Sequence, residues 1–184
     1  ETLKFGTIKN ELFNLIKDYC FGENEDKLEK VVGNLLIKFN LTISIAESCT
    51  GGYVQHLLTT IPGSSQYFKG GIVAYSNEIK SKILNVDTEL LYNKGAVSEE
   101  IVKMMAKNIK NLFNTDYSIA ISGIAGPTGG SEDKPVGTTW IAVAGKKTIE
   151  TRLFKFGDER INNIIRASIA ALDMVRKLIL SENC

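Results

Sequence analysis

Ser48 is the first residue in this chain whose setting suggests chemistry. It stands in the run Glu47, Ser48, Cys49, Thr50, Gly51, Gly52, where an apolar segment ends and a helical pattern begins. Such a strand-to-helix junction is the usual ligand crevice of α/β sheets. Small residues there let backbone N–H groups approach a ligand. Those groups and the positive end of the helix suit a phosphate, or an oxyanion forming beside an attacking Ser48. The competing reading is that Ser48 or Thr50 only caps the helix. A second stretch, residues 122–130, contains Ser122, Gly123, Gly126 and Pro127 and also follows an apolar segment. It fits neither the Walker pattern nor the dinucleotide fingerprint, so it is either a ligand loop or a surface turn. Tyr75, Asn77 and Lys80 form a third group at the end of another strand-like run. A lysine neutralised by burial is a general base and a tyrosine can pass a proton, so these residue types could activate a serine without histidine. An exposed lysine is the alternative. Arg160 opens the last helical pattern after Gly157 and Asp158. A cation is unfavourable at a helix N-terminus unless an anion binds there, or unless Asp158 or Glu159 pairs with it. Cys49 adjoins the serine, but thiol chemistry would want a base, and the single histidine, His56, reads as structural within a helix. Trp140 reads as core.

Hydrophobic periodicity supplies the elements that must hold these residues. Helical spacing runs through residues 8–19, a polar linker follows at residues 22–26, and a second helix spans residues 28–39. Then come a strand at 42–47, a helix opened by Gly51 and Gly52, a strand at 68–75, and helices at 77–85 and 98–113. In the last of these Ser98, Glu99 and Glu100 suit the helix start, and Ile101, Met105, Ile109, Leu112 and Phe113 form the apolar face. A strand at 119–121 precedes the glycine-rich stretch. Strands at 138–144 and 148–156 flank Gly145, Lys146 and Lys147 as an antiparallel hairpin. A final helix at 159–180 carries Ile161, Ile165, Ser168, Leu172, Val175 and Ile179 on one stripe. This alternation predicts an α/β fold, a three-layer α/β/α sandwich with a mixed, mostly parallel sheet of five or six strands. Residues 1–26 read as a helix and linker, and residues 27–184 as the domain proper.

Composition bounds the function. The chain has 184 residues, 22 Lys plus Arg against 21 Asp plus Glu, and a net charge of +1. That is enough chain for one full core, and it lacks the basic excess of a general nucleic-acid coat or a polybasic membrane binder. Apolar runs fall short of the ~20 residues that a membrane helix needs. Three widely spaced cysteines, Cys20, Cys49 and Cys184, argue for a reducing compartment rather than a disulfide framework. One histidine offers little material for a zinc site or a Ser-His-Asp triad.

Five blocks of the sequence resemble the CinA C-terminal domain family, in that family's order. They are residues 46–52, 70–77, 95–100, 122–127 and 134–138, and the resemblance covers residues 27–180. Active members are amidohydrolases that convert nicotinamide mononucleotide and water to nicotinic acid mononucleotide and ammonia in pyridine nucleotide salvage. The resemblance therefore implies a hydrolase with Ser48 as nucleophile and Tyr75 and Lys80 as activating partners. We expect Thr50, Gly51 and Gly52 to offer oxyanion donors, and Asn77, Ser122, Gly123, Gly126 and Arg160 to contact the substrate. No cofactor and no metal are implied. The expected partner is a small nucleotide substrate, with no membrane and no direct nucleic acid, in a cytoplasmic homodimer or larger assembly. The family also occurs as the C-terminal half of a longer chain, and residues 8–26 resemble its connecting region. Glu159 stands between Asp158 and Arg160, where many members have arginine directly after the aspartate. The alternative function is a non-catalytic nucleotide-binding or interaction module linked to competence and DNA recombination.

Overall fold

A strand buried on both faces has no polar side to present, so the all-buried Ile43–Glu47 must lie inside a sheet. It does. In the computed structural model, which describes residues 2–16 and 19–184, β1 (Ile43–Glu47) pairs in parallel with β2 (Phe68–Val73) on one side and β3 (Tyr117–Gly123) on the other. β4 (Thr138–Ala144) runs antiparallel to β3, and β5 (Ile149–Lys155) antiparallel to β4. The sheet is therefore five-stranded and mixed, in the order β2-β1-β3-β4-β5. Gly145 N–H donates to the Thr148 carbonyl and closes the hairpin expected between β4 and β5.

Helices cover both faces. α2 (Leu28–Lys38), α3 (Tyr53–Thr59) and α7 (Arg160–Asn183) bury Val32, Leu36, Val54, Leu58, Leu172, Val175 and Ile179 against one face. α4 (Asn77–Lys82), α5 (Thr88–Lys94) and α6 (Glu99–Phe113) cover the other with Leu91, Ile101, Met105 and Ile109. α1 (Thr2–Ile16) precedes this sandwich and exposes Ile8, Leu12 and Leu15. Among the described residues no helix is long and apolar enough to cross a membrane.

Several boundaries and faces differ from the sequence reading. The first helix ends at Ile16, residues 17 and 18 lie outside the described residues, and Tyr19 is exposed in a turn. The helix expected at 77–85 stops at Lys82. The strand expected at 119–121 runs from Tyr117 to Gly123. α5 has no counterpart in that reading, because seven residues are too few for periodicity to register. Its signal is Asp87, whose side chain accepts from Leu90 N–H at 2.7 Å as an N-cap. Leu112 is 57% exposed because the face set by Ile101, Met105 and Ile109 continues to Phe113, not to its neighbour. Ile161 is 60% exposed because the first turn of α7 projects past the buried stripe, which begins at Asn163 and Ala167. Trp140 is only partly buried, packed beside the α6 cluster.

The strand order places β1 between two parallel neighbours reached in opposite directions. The chain leaves β1 through α3 to reach β2, then crosses through α4, α5 and α6 to reach β3 on the far side of β1. At such a reversal the connections diverge, and the carboxyl ends of the strands are left with an open crevice.

Candidate active site

β1 ends at Glu47, so the next residue is delivered to that crevice. Ser48 is 7% exposed, and its N–H donates to the Ile121 carbonyl of β3 at 3.0 Å. The turn that follows uses Gly51 at φ +64° and Gly52 at φ +100°, left-handed conformations that other residues adopt only at a cost. α3 then starts with Gly52 as its N-cap, a residue with no side chain to satisfy the first N–H groups. Neither Ser48 nor Thr50 does so. The Glu47 carboxylate supplies the acceptors instead, taking hydrogen bonds from the N–H groups of Gly52 (3.1 Å), Val54 (3.2 Å) and Gln55 (3.0 Å).

Lys80 reaches the same crevice from α4. Only 1% of it is exposed, and its Nζ lies 2.9 Å from Ser48 Oγ, 2.7 Å from the Ala74 carbonyl and 3.4 Å from the Tyr75 carbonyl. Burial disfavours the ammonium and lowers its pKa to about 8. All three neighbours accept from Nζ, matching the three donors of an ammonium, and loss of one proton leaves a lone pair within reach of the Ser48 hydroxyl. Among the described residues no carboxylate pairs with Lys80. Cys49, also buried beside Ser48, is pushed the other way. Burial raises its thiol to about 12, so it stays protonated.

Ser48, Cys49, Tyr75, Asn77, Lys80, Ser122, Gly123 and Arg160 line one cavity of about 220 Å³, with Ala96, Val97 and Ala125 completing its wall. The two cations there, Lys80 and Arg160, meet no lining carboxylate. Arg160 does not pair with Asp158 or Glu159. Its Nη1 donates to the Gly126 carbonyl at 2.8 Å and its Nη2 to the Tyr75 hydroxyl at 3.0 Å, so it bridges the glycine-rich loop and the β2–α4 connection. Tyr75 is 60% exposed, and it meets Lys80 through its carbonyl rather than its hydroxyl. The buried Ser122 hydroxyl donates to the Ala96 carbonyl. Residues 127–130, which were grouped with this loop on composition, are exposed and do not line the cavity.

The oxyanion donors expected from Gly51 and Gly52 are occupied. Gly51 N–H donates to the Ser48 carbonyl and Gly52 N–H to Glu47. In the turn, Cys49 N–H lies against its own thiol, and Thr50 N–H has no backbone partner among the described residues. Thr50 and Gly126 sit behind the cavity rather than on its wall. Two contributors escaped the sequence reading. One is Glu47, visible only as the polar end of an apolar strand. The other is Asn163, a buried polar residue in an apolar helix face, whose Nδ2 ties the Ala125 carbonyl to that of Gly157. His56 is exposed on α3 and takes no part in the cavity.

A buried serine–lysine pair at a strand end can carry out acyl transfer. Comparison with known proteins points to one family. Residues 25–179 match the family model for the CinA C-terminal domain. A CinA-like protein of Cytophaga hutchinsonii is 48% identical over 162 residues, covering 88% of this chain and 39% of that protein. A putative competence-damage inducible protein of Moorella thermoacetica is 48% identical over 145 residues, 79% of this chain and 35% of that protein. The crystal structure of a CinA superfamily protein from Klebsiella pneumoniae superposes with a TM-score of 0.82 at 33% identity, over 86% of this chain and 99% of that one. The Escherichia coli superfamily structure gives 0.77 at 30% identity, over 90% and 98%. The chain spans about two fifths of the length of the curated relatives it matches.

Proposed function

The chain belongs to the CinA C-terminal domain family, and we propose that its site hydrolyses the carboxamide of nicotinamide mononucleotide, giving nicotinic acid mononucleotide and ammonia. The observation that carries this reading is the 2.9 Å contact between Ser48 Oγ and a buried lysine whose pKa is lowered to about 8. A lysine so buried and unpaired is costly to a fold. That cost is understandable where the amine must be neutral, and a module that only binds nucleotides has no use for it.

Ser48 Oγ attacks the carboxamide carbon while its proton passes to Lys80 Nζ. The backbone N–H of Cys49, the residue after the nucleophile and one that lines the cavity, receives the developing oxyanion. As the intermediate collapses, the C–N bond breaks and Lys80 returns the proton to the departing nitrogen, which leaves as ammonia. Water then attacks the acyl-Ser48 ester with Lys80 again as base, releasing the carboxylic acid product and restoring the serine. Because Lys80 touches Ser48 directly, no relay through the Tyr75 hydroxyl is required. Tyr75 instead walls the cavity and holds Arg160. Arg160, with no carboxylate opposite it, suits the substrate phosphate, and Asn77, Ser122 and Gly123 flank the ring and ribose. A cavity of about 220 Å³ is below the usual ~300 Å³ lower bound for ligand pockets. It suits the pyridine carboxamide, with the ribose phosphate extending past Arg160.

The test is ammonia release from nicotinamide mononucleotide, its riboside, free nicotinamide and an unrelated primary carboxamide. The mononucleotide should be turned over with the highest kcat/KM. Equal rates on all of them would refute the substrate assignment, and no release from any would refute the amidase reading.

A further inference from the structure

The mechanism uses Ser48 and Lys80, but neither sets its own position, and the two arrive on different elements 32 residues apart. One residue is bonded to both arrangements. The Glu47 side chain is fully buried, and its carboxylate is held by three backbone N–H groups of α3 and its cap, at 3.0–3.2 Å. Among the described residues it has no salt-bridge partner. A buried carboxylate is costly unless its oxygens are saturated, and strong hydrogen bonds from a helix N-terminus saturate them. The bonds anchor the far end of the turn that carries Ser48, whose near end is fixed by Ser48 N–H on the Ile121 carbonyl. The Glu47 carbonyl, meanwhile, accepts from Ala74 N–H at 2.7 Å, and the Ala74 carbonyl in turn accepts from Lys80 Nζ at 2.7 Å. Side chain and main chain of one residue thus fix the nucleophile's turn and the carbonyl that aims the base. By taking the helix donors of Gly52, Val54 and Gln55, the carboxylate also keeps them from an acyl oxygen bound at Ser48.

We propose that Glu47 is the positioning residue of the Ser48–Lys80 pair. Its carboxylate fixes the residue 48–52 turn so that Ser48 Oγ meets Lys80 Nζ. This rests on the acyl-transfer reading of Ser48 but not on the identity of the substrate. Glu47→Gln is nearly isosteric, yet it puts an NH2 group against a backbone N–H in a site that offers only donors. Glu47→Asp keeps the charge but withdraws both oxygens by one methylene.

The readout is covalent labelling of the full chain by a fluorophosphonate, followed by intact mass across pH 6 to 10. Ser48 Oγ forms the P–O bond, fluoride leaves, and the proton passes to Lys80. The expected result for Glu47→Gln is a labelling rate constant lower by on the order of a hundredfold, with complete final labelling and the same pH midpoint as wild type. On nicotinamide mononucleotide, kcat should fall in parallel while KM changes less than about threefold. Glu47→Asp should behave alike, and it stands in if the glutamine variant does not fold. A merely structural role gives the opposite pattern: the labelled fraction falls with the folded fraction at an unchanged rate constant, and that result would overturn the proposal. So would wild-type rates in both variants. Failure of wild type to label would sink the acyl-transfer reading and this proposal together. Labelling without hydrolysis of the mononucleotide would sink the substrate assignment alone.

Discussion

Lys80 gives the most quantitative test of the site, since its chemistry and its cost to stability share one cause. The perturbation is a pH series on wild type beside Lys80→Arg and Lys80→Met. Burial lowers the group from its ordinary value of 10.5 to about 8, so roughly a tenth of the protein carries a neutral amine at pH 7, half at pH 8 and nine tenths at pH 9. An unshifted lysine would be neutral in only about 0.03% of molecules at pH 7, so burial raises the supply of base about 300-fold. The kcat/KM for ammonia release should therefore climb about tenfold from pH 7 to 9 and level off there. Lys80→Arg, which keeps a permanent charge beside Ser48, should lose at least a thousandfold and show no such limb. The sign for stability is the same. The folded-state pKa lies below the unfolded one, so the unfolded chain binds more protons between pH 8 and 10.5, and wild type gains stability as pH rises through that window. Below it the buried charge costs about 3 kcal/mol, partly offset by the hydrogen bonds to Ser48, Ala74 and Tyr75. Lys80→Met should thus be at least as stable as wild type at pH 7, and its relative stability should fall by about 3 kcal/mol by pH 10.5 in urea titrations. A flat rate profile with active Lys80→Arg would refute the base, and a pH-independent stability difference would refute the shifted lysine.

Three further substitutions separate the remaining roles. Tyr75→Phe should keep kcat within about fivefold and raise KM modestly, since its hydroxyl bonds Arg160 and not Lys80 or Ser48; a hundredfold loss of kcat at unchanged KM would place the hydroxyl in the proton path. Arg160→Ala should raise KM for the mononucleotide about tenfold to a hundredfold, as expected for a lost charge-assisted hydrogen bond, and leave KM for the riboside unchanged; an equal effect on both would remove Arg160 from phosphate binding. Cys49→Ala should retain turnover within about threefold, because a thiol raised to about 12 is not a nucleophile at neutral pH, and an inactive but folded variant would contradict that.

What was legible in the sequence was what short-range rules determine. An apolar run ending in small residues places Ser48 at a strand's carboxyl end, and glycines at 51 and 52 announce a turn that needs positive φ. The β4–β5 hairpin and the α6 start at Ser98 follow from the same kind of local pattern. The geometry of the site is set otherwise. That Lys80 faces Ser48 depends on β2 lying beside β1, and that Arg160 meets Tyr75 depends on α7 returning over residues 85 positions earlier. Strand order is not written in periodicity, so spacing alone left Lys80 as an ordinary exposed lysine, and resemblance to a family was needed to select it.

The cap of α3 shows why a correct local rule can still assign the wrong donors. Ser48 and Thr50 are good N-cap types, and a helix N-terminus offers N–H groups to an oxyanion, so Gly51 and Gly52 were natural candidates. Both inferences assume that the orphan donors of a helix are served by the residues just ahead of it. Here the left-handed Gly51 and Gly52 let the chain double back, and the acceptor comes from Glu47, before the turn. Once that carboxylate has taken the helix donors, the turn residue left beside Ser48 on the cavity wall is Cys49. On the proposed reading, the site depends on a buried carboxylate that never touches substrate. Its signature is an acidic residue at the last position of a fully buried strand, where burial without a partner would otherwise be prohibitive.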